Sequence, residues 1–173
     1  FSGDVAIKDG VIAEVGKLGS SAKRTINAQG QVVSPGFVDT HTHMDAQLLW
    51  DPLATSSCWH GITTIMMGNC SFSVAPCRPE DRNAVLHTLE RVEGMSLEAL
   101  TAGVDWSWQT FPEYLGRIGG KLGLNTASLM GYSAVRQFAM GHAASDRAAT
   151  PEEIATMQRI VREGLAAGAY GGS

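Results

Sequence analysis

A chain of 173 residues with 44% apolar and 17% charged side chains can bury a hydrophobic core and has the composition of an ordinary globular protein, which excludes a disordered, fibrous or membrane-spanning class. Lys and Arg number 13 against 17 Asp and Glu, a formal charge of −4 without a basic run. The chain therefore has no electrostatic footprint for nucleic acid or an anionic membrane, and a small molecule is the expected partner.

In chain order, Val5-Ala6-Ile7-Lys8 and Val11-Ile12-Ala13-Glu14-Val15 are β-prone runs joined across Asp9-Gly10, a pair that favours a type I′ turn, so a hairpin is expected over residues 4–16. Lys17 to Ala22 reads as a polar loop, and Thr25 to Ala28 and Gln31 to Val33 as further short extended pieces. Residues 1–34 are thus expected to form part of a small β subdomain, with a different organisation over 35–173.

From Phe37 onward, strand-like and helix-like patterns alternate. Phe37-Val38 leads into two histidines, Leu48 to His60 reads as helical or irregular, and Gly61 to Gly68 is a continuous apolar and β-branched run suited to a strand buried on both faces. Pro79 to Val92 places Val85, Leu86, Leu89 and Val92 at helical spacing, a core-facing stripe. Thr110 three residues before Glu113, with Pro112 between, predicts a capped helix running to Ile118, and Leu124 to Met130 predicts a strand closed by Gly131. Thr150-Pro151-Glu152-Glu153 repeats the capping signal ahead of Ile154, Met157, Ile160, Val161 and Leu165, with Gly168 as the stop. This alternation predicts an α/β fold built of βα units around a parallel sheet, about three of them and too few to close a barrel. The chain opens at Phe1 without an initiator Met and closes at Ser173 where another strand is expected, which reads as part of a longer polypeptide.

The chemistry concentrates in Pro35-Gly36-Phe37-Val38-Asp39-Thr40-His41-Thr42-His43. In an extended backbone, residues two apart share a side, so His41 and His43 can reach one metal ion; on a helix they would diverge. The other reading of so short a motif is two unrelated loop histidines. Cys70 follows the next strand, and in α/β sheets functional groups gather at the carboxyl ends of strands, so His41, His43 and Cys70 are expected to be neighbours. Imidazole and thiolate are donors that zinc prefers, while a small buried hydrophobe is the alternative role for Cys70. Cys58, Cys70 and Cys77 are odd in number and no secretory apolar segment precedes them, which argues for a reducing, cytoplasmic compartment with thiols either free or metal-bound. Asp45 is either a carboxylate that orients an imidazole or an exposed loop residue, and Asp39 is a second candidate for the orienting role. His60 belongs to the opposite, amino end of its strand and reads as structural; His87 and His142 read as surface or helix-face residues. Trp50, Trp106 and Trp108 line a pocket or belong to the core.

The segment from Pro35 to His43 resembles the first metal motif of the amidohydrolase superfamily, and Gly61 to Cys70 resembles the segment that marks its D-aminoacylase (N-acyl-D-amino-acid deacylase) branch. Asp45 to Pro52, Ala75 to Pro79 and Trp106 to Leu115 are similar to that branch too, so the likeness spans nearly the whole chain. The resemblance implies the first part of a (β/α)8 TIM-like barrel after part of a small β-sandwich. It further implies that His41, His43 and Cys70 hold zinc, as one or two ions, with the cysteine serving where relatives often use a carboxylated lysine elsewhere in the barrel. The implied reaction is hydrolysis of an N-acyl-D-amino acid to a carboxylate and a free D-amino acid by a zinc-activated water. A cyclic or linear amide of the hydantoin or dihydropyrimidine type is the alternative substrate. The remaining zinc histidines and the catalytic aspartate are expected beyond Ser173, so the chain by itself is expected to be inactive, or a non-catalytic scaffold if Ser173 is a true end. Two departures stand out: Gly131-Tyr132 where the branch often has Gly-His, and Asn27 where it often has Asp.

Overall fold

The computed structural model describes residues 2–19 and 21–173, and the chain divides into two compact units, Phe1–Pro35 and Gly36–Ser173. In the first, β1 (Asp4–Lys8) pairs antiparallel with β2 (Val11–Gly16), Asp4 opposite Gly16. The hairpin forms where the sequence places it, because Asp9 and Gly10 both take positive φ, 53° and 78°, the backbone a type I′ turn requires. The loop expected from Lys17 to Ala22 includes Ser20, which lies outside the described residues. Thr25–Ala28 and Gln31–Val33 enter no ladder, contrary to their β-prone composition. Local bonds hold a turn there instead: Gln29 N–H donates to Asn27 Oδ1 (2.9 Å) and Gln31 N–H to the Ala28 carbonyl (2.9 Å). Without a partner strand, β-propensity alone does not make a strand.

The second unit is built on a parallel sheet in the order β3 (Phe37–Asp39), β4 (Ile62–Met67), β5 (Asn125–Met130) and β6 (Gly171–Gly172). Strands adjacent in sequence are adjacent in the sheet, and each parallel step requires a crossover. The β3–β4 crossover carries a 3-10 turn (Gln47–Leu49) and the short α1 (Thr55–Cys58); the next carries α2 (Arg82–Glu93), α3 (Leu97–Gly103) and α4 (Phe111–Ile118); the last carries α5 (Tyr132–Met140) and α6 (Pro151–Ala167).

Several expectations are refined. β4 is enclosed only toward its carboxyl end, where Ile65 and Met67 are buried while Thr63 is exposed. In α2 the stripe is core at Leu86 and Leu89, but Val92, in the last turn, is exposed. In α6, Met157 and Ile160 are buried whereas Ile154 and Leu165 are exposed. α3 and α5 have no counterpart in the sequence reading. Ser96 caps α3 by accepting from Ala99 N–H (3.1 Å), but no acidic residue completes a box, and α5 starts from Gly131 with no side-chain cap.

Both capping boxes form. Thr110 and Glu113 exchange side-chain-to-backbone bonds at the start of α4, and Thr150 and Glu153 do the same at α6, which ends at Gly168 in the left-handed region. Phe111 and Tyr114 carry α4 into the core beside Ile65 and Met67, joined by Trp108 from the segment just before the helix, and all three are fully buried. The ring centroids of Trp108 and Tyr114 are 5.2 Å apart, and those of Phe111 and Tyr114 6.2 Å. Tyr114 Oη donates to the Asp45 carbonyl at 2.8 Å, so this aromatic cluster reaches the loop that carries the histidines.

Candidate metal centre

The two loops that leave β3 and β4 build the site. After Asp39 the chain continues as an extension of the strand: Thr42 N–H and Oγ1 both donate to the Met66 carbonyl, at 2.9 and 2.8 Å. With Thr42 pinned and buried against β4, the residues on either side of it are His41, which is exposed, and His43, which is half-buried. Their ring centroids are 5.4 Å apart at an interplanar angle of 66°. Asp39 Oδ1 accepts the His41 N–H at 3.1 Å, so Asp39 meets the backbone of this loop.

The loop after β4 reverses sharply. Gly68, Cys70 and Ser71 all have positive φ, 78°, 55° and 66°. At Gly68 only glycine fits, since a Cβ there would lie 2.1 Å from the Leu129 carbonyl oxygen. Between them, buried Asn69 fastens the two loops together: its Nδ2 donates to the Thr42 carbonyl (3.2 Å) and the Met66 carbonyl (3.1 Å). The result brings Cys70 Sγ to 3.2 Å from His41 Nε2. One donor atom each from His41, His43 and Cys70 falls within a 4.8 Å cluster. Cys70 is exposed, which removes its reading as a buried hydrophobe. Two imidazoles and a thiol converging at one edge are a donor set that suits zinc.

Asp45 is not the exposed loop residue that was one of its two readings. It is 2% exposed, and its Oδ2 accepts the Gly68 N–H at 3.1 Å. Burial pushes its carboxyl up to about 7 against the opposing effect of the Gly68 N–H, and the Glu93 charge adds to the rise. Oδ1 has no partner among the described residues. The carboxylate thus braces the turn leading to Cys70, and the hydrogen bond it makes goes to a backbone amide, not to an imidazole. Tyr114, also buried, has its phenol held well above the usual range by burial, so it donates to the Asp45 carbonyl as a neutral group.

One acidic residue absent from the sequence reading approaches the site. Glu93, the last residue of α2, places Oε1 3.8 Å from His43 Nδ1. Its only sequence signal is a carboxylate immediately before the Gly94 stop, where the helix dipole disfavours negative charge.

The remaining candidates lie elsewhere. His60 is exposed ahead of the amino end of β4; His87 is exposed and pairs with Glu90 (3.1 Å); His142 is exposed in a 3-10 turn. Trp108 is core and donates from Nε1 to the Val74 carbonyl (3.1 Å), Trp106 stacks under the Arg82 guanidinium, and Trp50 is exposed. Cys77 is buried and its thiol is pushed up to about 12 by burial and then by the Asp81 charge, whereas Cys58 is exposed; all three cysteines are free. No helix among the described residues is long and apolar enough to cross a membrane.

The histidines and the cysteine thus gather at the carboxyl ends of successive parallel strands, the edge at which α/β barrels assemble their functional groups. The chain belongs to the amidohydrolase family, whose model matches residues 24–173. It is 34% identical to the D-aminoacylase of Alcaligenes xylosoxydans xylosoxydans over 170 residues, covering 97% of this chain and 32% of that protein. Among solved structures, a D-aminoacylase studied for its binuclear metal centre superposes with a TM-score of 0.77 at 34% identity, covering 98% of this chain and 33% of the other. The N-acyl-D-glutamate deacylase of Bordetella bronchiseptica, complexed with zinc and a phosphonate inhibitor, does so with a TM-score of 0.76 at 30% identity, covering 98% and 33%. The fold is accordingly the first part of the amidohydrolase TIM barrel. The chain spans 28% to 32% of the length of the curated relatives that it matches over nearly its full extent.

Proposed function

We propose that the protein to which this chain belongs is a zinc-dependent amidohydrolase that cleaves N-acyl-D-amino acids to a carboxylate and a free D-amino acid. The observation that carries this reading is the convergence of His41, His43 and Cys70 at the strand ends, with donor atoms within 4.8 Å. The activities named for the D-aminoacylase and N-acyl-D-glutamate deacylase relatives supply the substrate class.

When bound, a zinc ion supplies a Lewis acid that polarises a scissile carbonyl and brings the pKa of water toward neutrality. The chain's own residues contribute placement. His41 and His43 offer imidazole lone pairs and Cys70 a thiolate, while Asn69 and Thr42 hold the two loops in register so that the donors are assembled beforehand. Asp45 secures the Gly68 turn from beneath. The three free thiols suit a reducing, cytoplasmic setting.

The test is to purify the full-length protein, measure its zinc content by mass spectrometry, and assay N-acetyl-D-amino acids with acidic, aliphatic and thioether side chains against their L counterparts. At least one equivalent of zinc and turnover confined to D substrates is the expected result. Bound zinc with cleavage of hydantoins or dihydropyrimidines alone would replace the substrate class; no zinc and no turnover would sink the proposal.

A further inference from the structure

Glu93 stands where elementary electrostatics disfavours it. It closes α2, at the negative end of the helix dipole. Its side chain is only 21% exposed. A carboxylate that is partly desolvated and set against the helix dipole needs a positive or proton-donating partner. The group within reach is the imidazole of His43, 15% exposed, with Nδ1 3.8 Å from Glu93 Oε1.

We propose that Glu93 is a positioning residue of the metal centre: its carboxylate accepts the Nδ1 proton of His43, which fixes the ring in one tautomer and leaves the Nε2 lone pair free for the metal shared with His41 and Cys70. The proposal rests on the metal reading of that cluster. The 3.8 Å separation is longer than a hydrogen bond, and the terminal torsion of Glu93 is a soft one. A metal-ligating histidine generally hands its second ring proton to a carboxylate or carbonyl, which sets both the tautomer and the ring orientation. Asp39 and Asp45, the acids nearest to the histidines in sequence, bond to the backbone instead, at His41 N–H and Gly68 N–H. Glu93 is therefore the carboxylate that the fold brings to an imidazole of the cluster.

The experiment compares full-length wild-type protein with Glu93→Ala and Glu93→Asp. Side-chain 15N NMR of the metal-free, histidine-labelled proteins reads the tautomer of His43, its resonances assigned by their loss in His43→Gln. The Nδ1–H form is expected in the wild type, with the Nε2–H form appearing in Glu93→Ala and the wild-type pattern partly restored in Glu93→Asp. Zinc affinity, read by competition with a chromophoric chelator, should fall about 10- to 100-fold in Glu93→Ala. The thermal midpoint of the metal-free Glu93→Ala protein should be no lower than that of the wild type, because alanine is the best helix former and a charge opposed to the dipole has gone. A merely structural role would lower that midpoint and leave the tautomer alone. An unchanged tautomer, or zinc affinity equal to the wild type, overturns the role of Glu93 while the metal site stands. A wild-type protein that takes up no zinc overturns the metal reading and this role together.

Discussion

The loops after β3 and β4 and the first turns of α4 and α6 face the same problem, polar groups at the end of a regular element, and solve it in opposite ways. In the helix starts every partner is close in sequence: Thr110 with Glu113, Thr150 with Glu153. In the strand-end loops local contacts such as Asp39 with the His41 N–H are joined by distant ones, Asp45 with Gly68, Asn69 with Thr42, and Tyr114 with the Asp45 carbonyl. Local pairing stabilises an element whatever surrounds it. Non-local pairing contributes only once the sheet has assembled, and it fixes the position of one loop relative to another. A site that must hold three donors from two loops within a few ångströms needs the second kind.

If that contrast is right, disturbing a strand-end contact should cost more than disturbing a cap. Gly68→Ala is the severest case, since it adds a methyl 2.1 Å from the Leu129 carbonyl oxygen at a residue with φ of 78°. The left-handed backbone and the overpacking together predict a loss of about 2 to 5 kcal/mol. Thermal melts of the full-length protein check this, and a variant as stable as the wild type would mean that the turn relaxes freely. Asp45→Ala comes next. It leaves the buried Gly68 N–H without its acceptor, which predicts a loss of about 1 to 3 kcal/mol. Asp45→Asn retains an acceptor oxygen and should recover most of that loss. Equal losses in the two variants would show that the Gly68 bond is not what Asp45 contributes.

What could be read from the sequence follows the same division. The hairpin at Asp9-Gly10 and both capping boxes were legible because their determinants lie within a few residues of each other. The parallel alternation was legible because apolar runs and turn residues recur at element length. Thr25 to Val33 misled because extended propensity says nothing about the presence of a partner strand. The burial of Asp45 was undecidable along the chain: it depends on the approach of Tyr114 and Gly68, one in α4 and the other after β4. Glu93 was hidden for the same reason, its 3.8 Å approach to His43 being set by how α2 packs. The His41-x-His43 spacing and Cys70 were visible as residue types, but the left-handed backbone at Cys70 and Ser71 that turns the thiol toward His41 is a consequence of the assembled sheet.

The smallest expected effects belong to the caps, and one of them carries its own pH signature. Thr150→Ala should cost about 1 kcal/mol, the usual value of an N-cap. Glu153 adds an ionic component: the Arg147 guanidinium, bonded to both carboxylate oxygens at 2.7 and 2.8 Å, and the Thr150 N–H hold its carboxyl down at about 2, against an ordinary value of 4.5. The folded state therefore releases this proton more readily than the unfolded chain does, so the contribution is complete above pH 4.5 and disappears as the pH falls toward 2. The pair lies at the surface, with the Arg147 side chain exposed and that of Glu153 19% exposed, and solvent and salt weaken it. The stability difference between wild type and Glu153→Gln should accordingly be small at neutral pH, shrink further with added salt, and close between pH 4.5 and 2 in chemical-denaturation series. A difference that persists at pH 2 would mean that Glu153 acts by packing, and the line drawn between local caps and the non-local site would need to be moved.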